Sequence, residues 1–431
     1  MAHLIGTSVY KSLSDRINKF PLGAPPSPFL SRILEILFSP EEAELVAQLP
    51  VRSFNARRAA KVWRVSLSKA RKTLDGLADK GLLVDVEHQG ESVYTLPPPM
   101  AGFFEFSMMR IRSTPDQHEL AKLFYQYLNV EEEFVRNLFE PFETQLGRVF
   151  IHEPAVDRQP GLEVLDFERV SHIVQEASAI AVGTCYCRHK MLHVGKACDQ
   201  PLDMCITLNS AAKSLIKHQI ARRISREECL DIFQQARDGG LVQFGENVRE
   251  GVNFICNCCK CCCEGMIAAR RFGWLHPVHT TAFLPEEIPG RCVECRRCER
   301  FCPVEAIRIR PSGQQVQPGE AAPHLTVDLD TCLGCGVCVG GCPSKALNLR
   351  PRPTRILTPV NSTHKAVLQA IEKGTLQHFI FDNQALDSHR ALAAILGVIL
   401  RLPPLKQILA SRQFKSRFLE WLLKKYKFNP K

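Results

Sequence analysis

The chain has 431 residues, 45% hydrophobic and 23% charged, with a formal net charge of +10. These values exclude a fibrous or wholly disordered chain and leave room for about two to four domains. The positive surplus is local: residues 351–431 hold 14 Lys and Arg against 4 Asp and Glu, and the rest of the chain is balanced.

Four segments are expected: 1–112 without cysteine, 113–284 with a first cysteine set, 285–350 with a second, and a basic tail over 351–431. The pattern predicts an α+β, multidomain protein whose cysteine-rich segment 113–284 is mainly helical. The N-terminus MAHLIGTSVYKSLSDRINKF has no apolar core of a leader peptide. No apolar run reaches the ~20 residues needed to span a bilayer. The longest, Ala391–Leu400, lies between Arg390 and Arg401 and reads as a buried helix. A cytoplasmic location is expected, in an anaerobe if the metal centres below are oxygen-sensitive.

In chain order, Pro40 and Glu41 open a helix running through Leu49. Asn55 and Ser66 are placed to cap helices over Ala56–Trp63 and Leu67–Lys80, the second ended by Gly81. Leu82–Val86 and Ser92–Leu96 read as two strands joined by His88-Gln89-Gly90. Three helices followed by a two-stranded ribbon resemble a winged helix-turn-helix domain. Arg57, Arg58, Lys61, Arg64, Lys69, Arg71 and Lys72 on its helices could meet phosphates, but a solvated face of a protein-docking domain is the favoured reading and nucleic acid is not.

All 19 cysteines lie between Cys185 and Cys342. A long chain with no leader and dense thiols points to metal binding, not to a disulfide framework. The first set begins at Cys185 and Cys187, continues through Cys198 and Cys205, and ends in Cys256, Cys258, Cys259, Cys261, Cys262 and Cys263. Six thiols in eight residues exceed any packing need and invite oxidation unless a metal holds them. Neighbouring side chains diverge, so these thiols serve two sites or one large cluster. Ten thiolates suffice for one or two further iron–sulfur clusters. His189 and His193 could stand in for a cysteine, and Arg188 could hydrogen-bond a cluster sulfide. Cys229 falls inside a helix opened by the Ser225-x-x-Glu228 capping-box pattern and reads as core. The stretch from Thr184 to Cys263 is similar to a cysteine-rich domain fused to ferredoxin modules in proteins of anaerobes.

The second set repeats one pattern: Cys292-x2-Cys295-x2-Cys298-x3-Cys302-Pro303, then Cys332-x2-Cys335-x2-Cys338-x3-Cys342-Pro343. Zinc sites do not carry this run twice. It resembles the bacterial two-[4Fe–4S] ferredoxin family over about 65 residues. The resemblance implies two [4Fe–4S] clusters with crossed ligation, one on Cys292, Cys295, Cys298 and Cys342, the other on Cys332, Cys335, Cys338 and Cys302. Gly334 and Gly336 fit the second loop. The first has Glu294, Arg296 and Arg297 instead. Residues 311–323 read as an exposed loop, and Ala306–Arg310, Leu325–Asp330 and Ala346–Arg350 as short strands.

Ser411–Phe428 reads as an amphipathic helix able to meet an acidic partner or an anionic membrane surface. No dinucleotide or Walker fingerprint is present. The favoured expectation is an electron relay to or from a partner oxidoreductase. The alternatives are an oxidoreductase with a substrate-binding cluster at Cys256–Cys263, and a redox-sensing DNA-binding regulator. Catalytic residues are not identified.

Overall fold

The computed structural model describes residues 2–113, 115–139, 143–156, 162–271, 280–310, 325–353, 358–381 and 386–401. Residues 311–323 and Ser411–Phe428, for which a loop and an amphipathic helix were expected, lie outside these residues. Helix and sheet are mixed throughout the sequence. No described helix is long and apolar enough to cross a membrane. The chain divides into two compact units, one of Met1–Ser107, Arg112–Tyr127 and Pro359–Lys431, the other of Met108–Ile111 and Leu128–Thr358.

In the first unit, the expected helices occur at Pro40–Ala47, Ala56–Trp63 and Leu67–Asp79. Ser39, Asn55 and Ser66 accept hydrogen bonds from the backbone N–H groups of Glu42, Arg58 and Lys69, which satisfies orphan donors at each helix start. The two strands are Val84–His88 and Glu91–Thr95, shifted from the expected ranges because the turn tightens to Gln89-Gly90, both at positive φ. Phe54–Asn55 adds a third strand beside Glu91–Thr95. Ala391–Leu400 lies within a helix, Asp387–Arg401, but it is not buried as expected: Leu392 and Ile395 are 48% and 59% exposed, because apolar residues run all round this helix and only the face with Ala393 and Leu396 packs.

The second unit holds the expected helices of the cysteine-rich segment and adds a sheet that the expectation lacked. Its centre is a six-stranded antiparallel sheet, in the order Gly147–Val149, Val242–Glu246, Phe254–Cys258, Asp203–Leu208, Ile180–Thr184 and Arg222–Arg223. The strands are short, and Ile180–Thr184 is buried on both faces, so it lacks the alternation that marks a strand in sequence. Helix Arg226–Asp238 packs Phe233 and Cys229 into a core with Val174, Val182 and Leu208. Ser225 caps it through the Glu228 N–H, while the Glu228 carboxylate pairs with Arg222 instead of closing the box.

The ferredoxin-like part contributes two small ribbons. Ile307–Ile309 pairs with Leu325–Val327, and Phe283–Glu287 pairs with Leu347–Pro351. One continuous buried core joins these ribbons to the sheet and contains Cys258, Cys263, Cys302, Cys332, Cys335 and Cys338.

Candidate metal centres

The repeated cysteine run folds into two loops with matching backbones. Gly334 and Gly336 sit at φ 68° and 78°, and Glu294 and Arg296 take the equivalent places at φ 52° and 54°. Glu305 and Lys345 match in the same way, at φ 58° and 50°. A left-handed residue between ligands turns successive N–H groups inward, which builds an anion-binding concavity. The trailing cysteines behave alike: Cys302 Sγ accepts from the Ala306 N–H at 3.2 Å, and Cys342 Sγ from the Ala346 N–H at 3.3 Å.

One cavity is lined by Cys292, Cys295, Cys298 and Cys342 together with Ile309 and Leu347. The trailing cysteine of the second run thus joins the leading three of the first. Cys302 in turn lies close enough to Cys335 and Cys338 for its charge to raise both thiols. Burial is the larger cause there, and it pushes Cys335 up to about 12 and Cys338 well above the ordinary thiol value. Thiols so placed resist ionisation unless a cationic centre supplies the countercharge. The two groups differ in exposure. Cys302, Cys332, Cys335 and Cys338 are buried, while Cys295 is exposed and Cys292, Cys298 and Cys342 are half-buried.

The ten upstream cysteines separate into two groups. In the first, Cys205 lies opposite Cys256 on neighbouring antiparallel strands, which puts both side chains on one face. The thiols of Cys205 and Cys258 neighbour Cys256, and those of Cys187 and Cys258 neighbour Cys263, close enough to shift one another's ionisation. Those neighbours hold Cys256 and Cys263 well below the usual thiol range. The second group is Cys198, Cys259, Cys261 and Cys262, whose sulfurs all lie within 4.8 Å of one another. The sequence neighbours Cys258 and Cys259 fall in different groups, as do Cys262 and Cys263, because the strand ends at Cys258 and the chain turns.

Arg188 is 1% exposed. It donates to the Pro201 carbonyl at 2.7 Å and the Asn257 carbonyl at 2.5 Å. Its guanidinium feels Cys185 and Cys258 of the first group and Cys259 of the second. Its Nε has no hydrogen-bond partner among the described residues. A buried donor left over beside thiolates fits an anionic metal–thiolate centre. Its charge adds to the Cys262 hydrogen bond that brings Cys259 down to about 4.

His189 Nδ1 lies 2.8 Å from the Met108 carbonyl, and His189 Nε2 lies 3.1 Å from His193 Nε2, so the structure engages His189 with groups other than the thiols. Cys229 is buried among aliphatic side chains, apart from both groups, and burial pushes its thiol up to about 12. Sequence reasoning missed a buried ion pair behind the site. Lys190, fully buried, contacts both Glu264 and Asn129, and Asn129 donates to the other Glu264 oxygen at 2.6 Å. Lys190 lies one turn beyond Cys187 and Glu264 follows Cys263, so the pair ties together the segments that carry two touching thiols. Only the proximity of charged residues to cysteines hinted at it.

Residues 291–346 match the family model described as a 4Fe-4S dicluster domain. No curated protein matches the chain. The chain therefore contains an iron–sulfur, ferredoxin-like domain. This supports an iron–sulfur electron-transfer role.

Proposed function

We propose that the chain relays electrons between a donor and a partner protein through two [4Fe–4S] clusters and at least one further centre. Cys292, Cys295, Cys298 and Cys342 hold the exposed cluster, and Cys302, Cys332, Cys335 and Cys338 the buried one. When bound, such clusters supply one-electron acceptor and donor sites. The six thiols Cys185, Cys187, Cys205, Cys256, Cys258 and Cys263 hold a further iron–sulfur centre.

The observation that carries this reading is the single core containing both the buried ferredoxin-type cysteines and Cys258 and Cys263. Thiols of both sets thus share one buried core, as a chain of closely spaced redox sites requires. The exposed set forms the port to a partner. Arg291, Arg296, Arg297 and Arg300 are exposed around it, and Val293 is 66% exposed. This rim suits an acidic redox protein. Residues 39–95 read as winged-helix-like, with exposed Lys69, Arg71 and Lys72 on Leu67–Asp79.

Anaerobic potentiometric titration of the full chain tests the relay. Three or more one-electron centres that reduce with dithionite and reoxidise reversibly are expected. A chain that accepts no electrons, or only one, contradicts it.

A further inference from the structure

The sulfurs of Cys198, Cys259, Cys261 and Cys262 are packed more tightly than an iron–sulfur cube allows. Cys198 lies 3.7 Å from Cys259 and 3.8 Å from Cys262, and Cys261 lies 3.7 Å from Cys262. No sulfur of the four is more than 4.8 Å from another. Four thiolates at about 2.3 Å from one tetrahedral ion stand about 3.8 Å apart. A cube, by contrast, binds each thiolate to a different iron at a separate corner, pointing outward, so all four of its ligand sulfurs cannot gather within 4.8 Å of one another as these do. Among the described residues, no other three potential ligand atoms gather this closely.

We propose that Cys198, Cys259, Cys261 and Cys262 bind one tetrahedral, thiolate-seeking divalent ion, zinc by preference, as a site separate from the iron–sulfur centres. Four such ligands close the coordination shell, which is the mark of a structural site. A divalent ion on four thiolates carries a net charge of about −2, and buried Arg188 beside Cys259 offsets part of it. The ion joins the loop carrying Cys198 to the turn after the strand Phe254–Cys258. It thereby fixes the segment from which Cys256, Cys258 and Cys263 reach the neighbouring six-thiol group. The site stands on its own geometry and does not require the relay reading.

Elemental analysis and acid-labile sulfide assay of the anaerobically purified full chain, wild type and Cys261→Ser, test the proposal. Cys261 is the exposed member, so its replacement disturbs packing least. The expected result is loss of one zinc per chain, with iron and labile sulfide unchanged. Loss of one iron without sulfide also supports the single-ion site, with iron as its occupant. Loss of several irons with matching sulfide overturns the proposal, as does no change in metal. Should the variant fail to fold, Co2+ exchange into the wild-type chain decides. Tetrahedral cobalt–thiolate absorption at one ion per chain supports the site, and its absence refutes it. The ferredoxin-type clusters are read separately through labile sulfide, so failure here and failure of the relay are distinguishable.

Discussion

Glu294 and Gly334 occupy equivalent places in the two cysteine loops and share a left-handed backbone, φ 52° and 68°. Glutamate tolerates this conformation at a cost, whereas Gly334 has no alternative. A Cβ there would collide with the Phe283 carbonyl and the Thr281 hydroxyl, which itself donates to the Gly334 carbonyl at 2.6 Å. Gly334→Ala should therefore destabilise the loaded protein by roughly 1–3 kcal/mol, and Glu294→Gly should change it by less than about 1 kcal/mol. Thermal unfolding under anaerobic conditions measures both. Equal effects at the two positions would deny that Phe283 and Thr281 close the Gly334 position to a side chain.

Burial separates the two ferredoxin-type groups, so air should remove their iron in two phases. The fast phase belongs to the exposed set and the slow phase to the buried one. Cys342→Ser should abolish the fast phase, and Cys302→Ser the slow phase, although each residue sits in the other run. If each variant instead affected the group of its own run, the crossed ligation would be wrong.

The arginine rim at the exposed group should govern electron exchange with charged reagents. Arg296→Glu together with Arg297→Glu should slow oxidation of the reduced chain by ferricyanide about tenfold at low salt. Oxidation by cationic hexaammineruthenium should become faster. Stopped-flow rates across a salt series check this, since the difference must shrink as screening rises. Rates insensitive to these substitutions would move the port elsewhere.

Lys190 and Glu264 form a buried pair behind the upstream thiols. Glu264→Ala removes the carboxylate that faces the buried Lys190 ammonium and should cost about 3–5 kcal/mol. Glu264→Gln keeps hydrogen-bonding capacity and should cost less. Denaturant unfolding of the anaerobic protein ranks the variants. An alanine variant as stable as the parent would show that the pair does not hold the site together.

The ferredoxin-like domain was legible in sequence because its cysteine spacing is local, with each loop carrying three cysteines within seven residues, Cys292–Cys298 and Cys332–Cys338. The left-handed Glu294 and Arg296 were not legible, since that conformation is ordinarily signalled by glycine. The helix caps at Asn55 and Ser66 were readable for the same local reason. The partition of the upstream thiols was beyond sequence reading. It depends on the pairing of Cys205 with Cys256 across strands some fifty residues apart, and on a turn that sends Cys258 and Cys259 to different groups. The sheet itself was hidden because its strands are short and its inner ones are buried on both faces.

The most direct test is the iron and acid-labile sulfide content of the full chain purified without oxygen. Two [4Fe–4S] clusters in the ferredoxin-like domain require at least about eight irons and eight sulfides per chain, and a further iron–sulfur centre raises both together. A colourless polypeptide, or one whose only metal is zinc, would contradict the account.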